Sequence, residues 1–443
     1  MYDQLYPVTY YFYPLLEHAF AESPNRDYFL KMLSEPKAKV TENLLYIHIP
    51  YCHDLCRFCP FHVKVTKQDE VYVRYTKALI KEIEMISVQP YVSDMTFGAV
   101  YFGGGSPSIL NNVLLKKIFE SIFRCFNLKT DAEISFEGEP RTLGEPEKLD
   151  LLKDFNVKRI SFGLQTYKQE MRDLFKIVAT LDDIDNVIRN ARDRNFHEIN
   201  VDMMYDLPNQ TLTDLEYDLK HLAEHDFDSI DYYNLHYYAF PEKMKVDMFK
   251  SKPSDKMHFI LGEQLSARLI DMGYNHVADQ IFTKESQVCE YFRLLWGGGY
   301  GDHTAETIAI GASARGYING VSYMNYGNTN KYLKLVEENE FVFDKISTRL
   351  EKPENRGAAF FPKFYQINKE YAPVMKTIPE NILKLWVDNG LAFEIDGAWY
   401  LSQKGKSWTT NMMVDGFEPI QRKKAFQSTK SLVLKAGMRT GSF

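Results

Sequence analysis

The stretch LLYIHIPYCHDLCRFCPFHV (residues 44–63) carries three of the chain's five cysteines, Cys52, Cys56 and Cys59, directly after an apolar run that reads as a β-strand. Disulfides do not explain the crowding. The number of cysteines is odd, and the N-terminus, MYDQLYPVTYYFYPLLEHAF, lacks the positive region and small-residue cleavage site of a secretion signal. No apolar run approaches ~20 residues. The expectation is a cytoplasmic chain without a membrane span, in which clustered thiols serve metal binding or thiolate chemistry.

Downstream, the same strand grammar repeats. Apolar runs at 95–102 (MTFGAVYF), 132–140, 159–166, 198–208 and 228–240 alternate with stretches of helical spacing such as 69–87 and 112–126. Six strands alternating with helices imply βαβ units and a parallel sheet, too few for a closed eight-fold barrel and so an open one. The polar clusters GGGSPS, EGEPR, GLQTY and DMMYDLP each follow a strand, as the cysteines do. That is the end at which barrel-type α/β folds assemble active sites, so one mouth should hold the chemistry.

Residues 1–43 read as an N-terminal arm, with ESPNRDYF and SEPKAK as loop signals, and 44–255 as the barrel. Residues 256–365 read as a connecting region that shapes the substrate and second-cofactor site, and 366–443 as a winged-helix-like cap whose helix and hairpin lie within 381–408. A chain of 443 residues can form one large core with smaller attachments. Net charge is -7, which removes the basic footprint of a nucleic-acid binder. Aromatic residues reach 14%, with 30 Phe and 29 Tyr, enough for a thick core or a pocket for a flat molecule.

Three thiolates at C-x3-C-x2-C can ligate three irons of a [4Fe-4S] cluster and leave the fourth iron open. That iron can chelate the amino and carboxylate groups of S-adenosylmethionine (SAM). Structural zinc is the competing assignment. It wants four closed ligands, and Cys125 and Cys289 lie in unrelated segments, although His53 and His62 could complete a set. Gly103, Gly104, Gly105 and Ser106 then read as a backbone cradle for the polar end of SAM, and Glu137, Gln165 and Asp202 as strand-end partners for an ammonium or ribose hydroxyls. Tyr46 and Phe58 complete the expected cofactor-binding set. Arg159 and Arg141 are candidate carboxylate binders, with surface ion pairs as the plainer reading. Tyr10, Tyr11, Tyr13, Tyr232, Tyr233, Tyr237 and Tyr238 are candidate pocket walls, and His236 and His303 candidate acid/base groups.

YIHIPYCHDLCRFC, YFGGGSPS, RISFGLQT and NVDMMYDLPNQT occur in the order and form of the motifs of radical SAM enzymes of the HemN-like group, which this sequence resembles over about residues 44–255. The resemblance implies an α/β fold, an open (β/α)6 partial TIM barrel with an N-terminal arm and a small α+β C-terminal domain. It implies a cluster on Cys52, Cys56 and Cys59, SAM on the open iron, and a flavodoxin- or ferredoxin-type reductant. Members divide among porphyrinogen decarboxylation, methyl or methylene transfer from a second SAM, anaerobic haem opening with methyl transfer, and haem chaperoning. Two departures bear on the choice: Phe61 stands where the decarboxylases carry a further cysteine, and Asp206 stands where YGLP has glycine. The expectation drawn is a methyltransferase-type member with two SAM molecules that C-methylates or cyclopropanates an sp2 carbon of an aromatic or conjugated small molecule. Porphyrinogen decarboxylation or haem modification is the alternative, and a haem chaperone the non-enzymatic one. For Cys56→Ala the expected outcome is loss of brown colour and of SAM cleavage with folding retained, checked by absorption spectra, product analysis and circular dichroism.

Overall fold

Side-chain alternation in the parallel strands decides which face of the sheet becomes core and which becomes site. The computed structural model describes residues 2, 5–6, 8–16, 24–37 and 41–435. It forms the expected strands in chain order: β1 (Glu42–Ile49), β2 (Thr96–Gly104), β3 (Asn127–Gly138), β4 (Arg159–Gln165), β5 (Glu198–Tyr205) and β6 (Ser229–Asn234), all parallel. Helices return the chain between them, among them α1 (Asp69–Ser87), α2 (Asn112–Cys125), α3 (Pro146–Asp154), α4 (Leu181–Asp193) and α5 (Leu212–Leu222). Thr180 and Thr211 open α4 and α5 with capping boxes to Asp183 and Asp214.

The outward residues are apolar. Leu45, Ile47 and Ile49 of β1, Ile134 and Phe136 of β3, Ile160 and Phe162 of β4, and Ile199 and Val201 of β5 join one buried core with Leu115, Ile118 and Phe119 of α2. Each fully buried Leu, Ile or Phe contributes roughly 1.5–3 kcal/mol, so this face binds helices to the sheet. The inward residues, taken up below, are polar.

Later segments extend the sheet to twelve strands. β7 (Asn275–Ala278) and β8 (Ile281–Thr283) add antiparallel strands beyond β6. At the other edge β9 (Thr307–Ile310) runs parallel to β1, followed by antiparallel β10 (Arg315–Ile318), β11 (Val321–Asn325) and β12 (Phe343–Ile346). Residues 256–365 thus build both edges of the barrel sheet as well as α6 (Asp255–Asp271). Farther on, β13 (Gln366–Ile367), β14 (Ala392–Ile395) and β15 (Ala398–Leu401) form a separate three-stranded sheet beside a helix at Glu380–Asp388.

The ESPNRDYF stretch, expected as loop, is helical from Pro24 to Leu33. Pro is tolerated in a first helical turn, and Phe29, Met32 and Leu33 bury one face against the core. Residues 17–23, 38–40 and 436–443 of the expected arm and cap lie outside the described residues.

A buried carboxylate ties α1 to the β9 edge. Glu82 is 2% exposed and accepts hydrogen bonds from Gly311 N–H (2.8 Å), Asn325 Nδ2 (2.8 Å) and the Tyr332 hydroxyl (2.5 Å). Burial outweighs these donors and lifts its pKa to about 7 from 4.5. The folded chain therefore holds a proton that the unfolded chain releases, so this group's contribution to stability falls as pH rises from about 4.5 to 7. Urea unfolding across that window should show the decline in the wild type and a flatter profile in Glu82→Gln.

Candidate functional site

The inward faces of β3 to β6 form a polar lumen. Glu133 and Glu137 come from β3, Arg159, Ser161 and Gln165 from β4, Asn200 and Asp202 from β5, and Asp231 from β6. Strand register sets them side by side, with Ser161 opposite Glu137 and Asn200, and Asp202 opposite Asp231. A barrel interior of this kind is a ligand chamber, since packed barrel cores fill with bulky branched residues.

Arg159 is 2% exposed and pairs with Glu198 at 2.8 Å and Asp231 at 3.5 Å. Asn200 donates to Asp202 (3.1 Å) and Asp231 (3.3 Å). Asp231 Oδ1 is buried without a partner. Burial first, then the mutual repulsion of Asp202, Asp231 and Glu137, pushes the Asp202 carboxyl well above its usual range. Glu137 is raised by burial too, although the Tyr101 hydroxyl and Gly104 N–H bond to it and Arg159 lies near. These acids outnumber the guanidinium that faces them, which suits a cationic occupant.

At the mouth, the cysteine loop closes on itself through Lys64 N–H to Pro50 O (2.7 Å) and Thr66 N–H to Cys52 O (3.2 Å). Arg57 anchors it by N–H to Phe175 O (2.9 Å) and Nη1 to Leu174 O (2.9 Å). Phe58 buries its ring against Phe175, centroids 5.5 Å apart. Asp54 pairs with Arg141 at 2.9 Å, and Arg141 also holds Glu139 at 2.6 Å, so this arginine clamps the loop to the end of β3. Burial, then repulsion from the other two thiols, pushes Cys52 up to about 12, while burial and Cys59 push Cys56 up to about 11.

Thiols in such a site ionise only when a metal compensates them. Among the described residues no three His, Cys, Asp or Glu side chains are grouped around one ion position. Three thiols on one loop beside an acidic lumen fit a cluster that gives each thiolate its own iron.

The glycine turn lies against this loop. Gly105 N–H bonds Ile49 O (2.8 Å) and Ser106 N–H bonds Tyr51 O (2.8 Å). A Cβ on Gly105 would stand 2.5 Å from Tyr51 O, and one on Gly103 2.8 Å from Glu137 Oε2. Gly104 has φ +115, and its Cβ would fall 2.7 Å from the His48 ring. His48 is 5% exposed; burial, with Arg315 nearby, pushes its pKa down to about 3, and its Nε2 is buried without a partner. Tyr46 bonds His48 Nδ1 at 3.1 Å. A glycine cradle, an orphan ring nitrogen and an acidic lumen beside three thiols fit a cofactor with an ammonium, a sulfonium and ribose hydroxyls.

The expected residues Tyr46, Gly103, Gly104, Glu137, Gln165 and Asp202 therefore share one chamber beside Cys52, Cys56 and Cys59. Gln165 holds φ 73 at its rim and accepts from the Tyr233 hydroxyl (2.6 Å). Ser106 is 4% exposed, and its hydroxyl accepts Glu139 N–H (2.9 Å) and meets Ser108, which makes it a fastener between loops. Tyr232, Tyr237, Tyr238 and His236 line a different cavity. Sequence reading passed over His48, Tyr101, Asp231 and Arg315. The first three carried a signal, since they share inward parity with Tyr46, Gly103 and Asp202 on their strands.

Residues 46–222 match the model of the Radical SAM superfamily. The heme chaperone HemW of Bacillus subtilis is 27% identical over 376 residues, covering 82% of this chain and 95% of that protein. Oxygen-independent coproporphyrinogen III oxidase of Salmonella typhimurium is 28% identical over 305 residues, covering 66% of this chain and 65% of that one. Among solved structures, the Escherichia coli coproporphyrinogen III oxidase HemN shares the fold at TM-score 0.76 and 23% identity, over 92% of this chain and 96% of that one. The expected methyltransferase-type subgroup finds no support in these relatives. No helix among the described residues is long and apolar enough to cross a membrane.

Gly104→Ala should weaken SAM binding about tenfold or more, because the added methyl meets both a left-handed backbone and the His48 ring. Gly273→Ala, with a similar φ of +92 but open space around it, is the control for backbone strain. Equilibrium dialysis with labelled SAM checks both.

Proposed function

We propose that this chain, whose residues 46–222 match the model of the Radical SAM superfamily, is a radical SAM enzyme acting on a tetrapyrrole, either a porphyrinogen or haem. The observation that carries the radical half of this reading is the set of Cys52, Cys56 and Cys59 at the mouth of an acidic lumen. The tetrapyrrole half rests on relatives named for haem and for coproporphyrinogen. When bound, the reduced [4Fe-4S] cluster supplies the electron that cleaves SAM to a 5'-deoxyadenosyl radical.

The chain's own residues supply position and charge. Cys52, Cys56 and Cys59 would hold three irons, and the backbone of Gly103 to Gly105 would lie along the amino-acid end of SAM. Glu137 and Asp202 would take its ammonium and ribose hydroxyls, with Gln165 fixing orientation. Arg315 stands within electrostatic reach of Tyr46 and His48, where a cation would meet a cofactor or substrate carboxylate. The neutral His48 ring would present Nε2 as a hydrogen-bonding group. An electron donor of flavodoxin or ferredoxin type would approach the partly exposed cysteine loop.

HemW's coverage of 95% of its own length favours one second reading, a haem chaperone. Anaerobically reconstituted protein with SAM, a reductant and either coproporphyrinogen III or haem separates the readings. The enzyme reading expects tetrapyrrole to be lost as SAM is consumed, and for porphyrinogen decarboxylation it expects 5'-deoxyadenosine without S-adenosylhomocysteine. Stoichiometric haem binding with SAM untouched would establish the chaperone instead, and S-adenosylhomocysteine would restore methyl transfer.

A further inference from the structure

On the face of the sheet away from the lumen, a cavity of about 330 Å³ lies between the ends of β5 and β6, helix α6 and residues 403–411. Its volume suits a small organic ligand. Tyr205, Phe259, Phe282, Tyr365 and Trp408 wall it. At its edge toward the lumen the Tyr11 hydroxyl bonds Gln280 Oε1 (3.3 Å) and Gln280 Nε2 bonds Asn234 (2.8 Å), and Tyr11 lies within electrostatic reach of both Asp279 and the lumen's Asp202 and Asp231.

Two features of this cavity lack a function within the fold. The first is Lys406, a partly buried ammonium 4.5 Å from the centroid of the Tyr365 ring. Burial lowers its pKa, and among the described residues no carboxylate pairs with it. The cavity's buried acids are already matched, Asp279 to Lys363 at 2.5 Å and Asp206 to His258. Asp255 and Glu263 stand exposed at the rim, where Lys252 lies 3.9 Å from Asp255.

The second feature is Asp206. It is 1% exposed, holds φ 59 and leaves Oδ1 buried without a partner. A left-handed backbone and an unsatisfied carboxylate oxygen both cost stability, and such strain persists where a site requires it. What Asp206 achieves is orientation: its Oδ2 hydrogen-bonds His258 Nδ1, which fixes the ring and leaves Nε2 outside that bond. The ring's other contacts are aromatic, with Tyr205 (centroids 5.5 Å apart) and Phe259 (5.6 Å).

We infer that this cavity is a binding site for a planar organic anion: Lys406 meets the anionic group, the aromatic walls hold the flat body, and His258 Nε2, positioned by Asp206, hydrogen-bonds a ligand hydroxyl. The site contains no part of the cysteine loop and stands whether or not the tetrapyrrole reading does.

The test is isothermal titration of the full reconstituted chain with 2-naphthamide, 2-naphthoate and 6-hydroxy-2-naphthoate, with neither SAM nor reductant added. The expected result is binding about tenfold tighter for the carboxylate than for the amide, and about tenfold tighter again with the hydroxyl. Lys406→Gln should erase the first difference and Lys406→Arg keep it, while His258→Phe should erase the second. Melting temperatures confirm that each variant is folded. Absence of binding, equal affinity for amide and carboxylate, or either preference surviving its variant would overturn the assignment. SAM cleavage is measured separately, so failure here and failure of the radical reading are distinct results.

Discussion

One guanidinium, Arg159, is set among the acids of the lumen, and the site depends on that imbalance. Removing a charge from water costs several kcal/mol even after relaxation, so a buried arginine persists only with partners, here Glu198 and Asp231. The acids in turn exceed what one cation neutralises. Asp202 and Glu137 respond by holding protons to higher pH than free carboxyls, or by accepting a cationic guest. The strand alternation that makes the outer face a core makes the inner face this chamber, so fold and site are two readings of one pattern.

The cysteine loop and glycine turn are built as one piece with that chamber. Backbone bonds from Gly105 and Ser106 to Ile49 and Tyr51 join the root of the loop to the end of β2, while Arg141 and Arg57 fix its outer half. Absence of side chains at Gly103 and Gly104 leaves room for Glu137 and His48 to reach the lumen. Rigid elements thus hold the polar groups, and the loop carries the three partly exposed cysteines.

Much of this was legible because parallel strands of five or more apolar-rich residues, each followed by a polar cluster, leave a strong pattern. The six barrel strands and the residues at their ends follow from it. Asp231 and His48 escaped because motif reading attends to familiar residue groups, whereas strand parity places Asp231 opposite Asp202 and His48 two residues beyond Tyr46. The short strands β7 to β12 span three to five residues each, too few for alternation to declare itself, and their pairing depends on contacts far away in sequence. Proline and polar residues at 24–27 imitate a loop, and only packing of Phe29 and Leu33 against the core makes that stretch a helix.

The pairing of β1 with β9 sets Leu44 beside Thr307, residues separated by most of the barrel. During synthesis at ~5–20 residues per second, the cysteine loop leaves the ribosome tens of seconds before the strand that will flank its root exists. The strand that leads into the cysteine loop therefore gains its second neighbour only after the other barrel strands have been made.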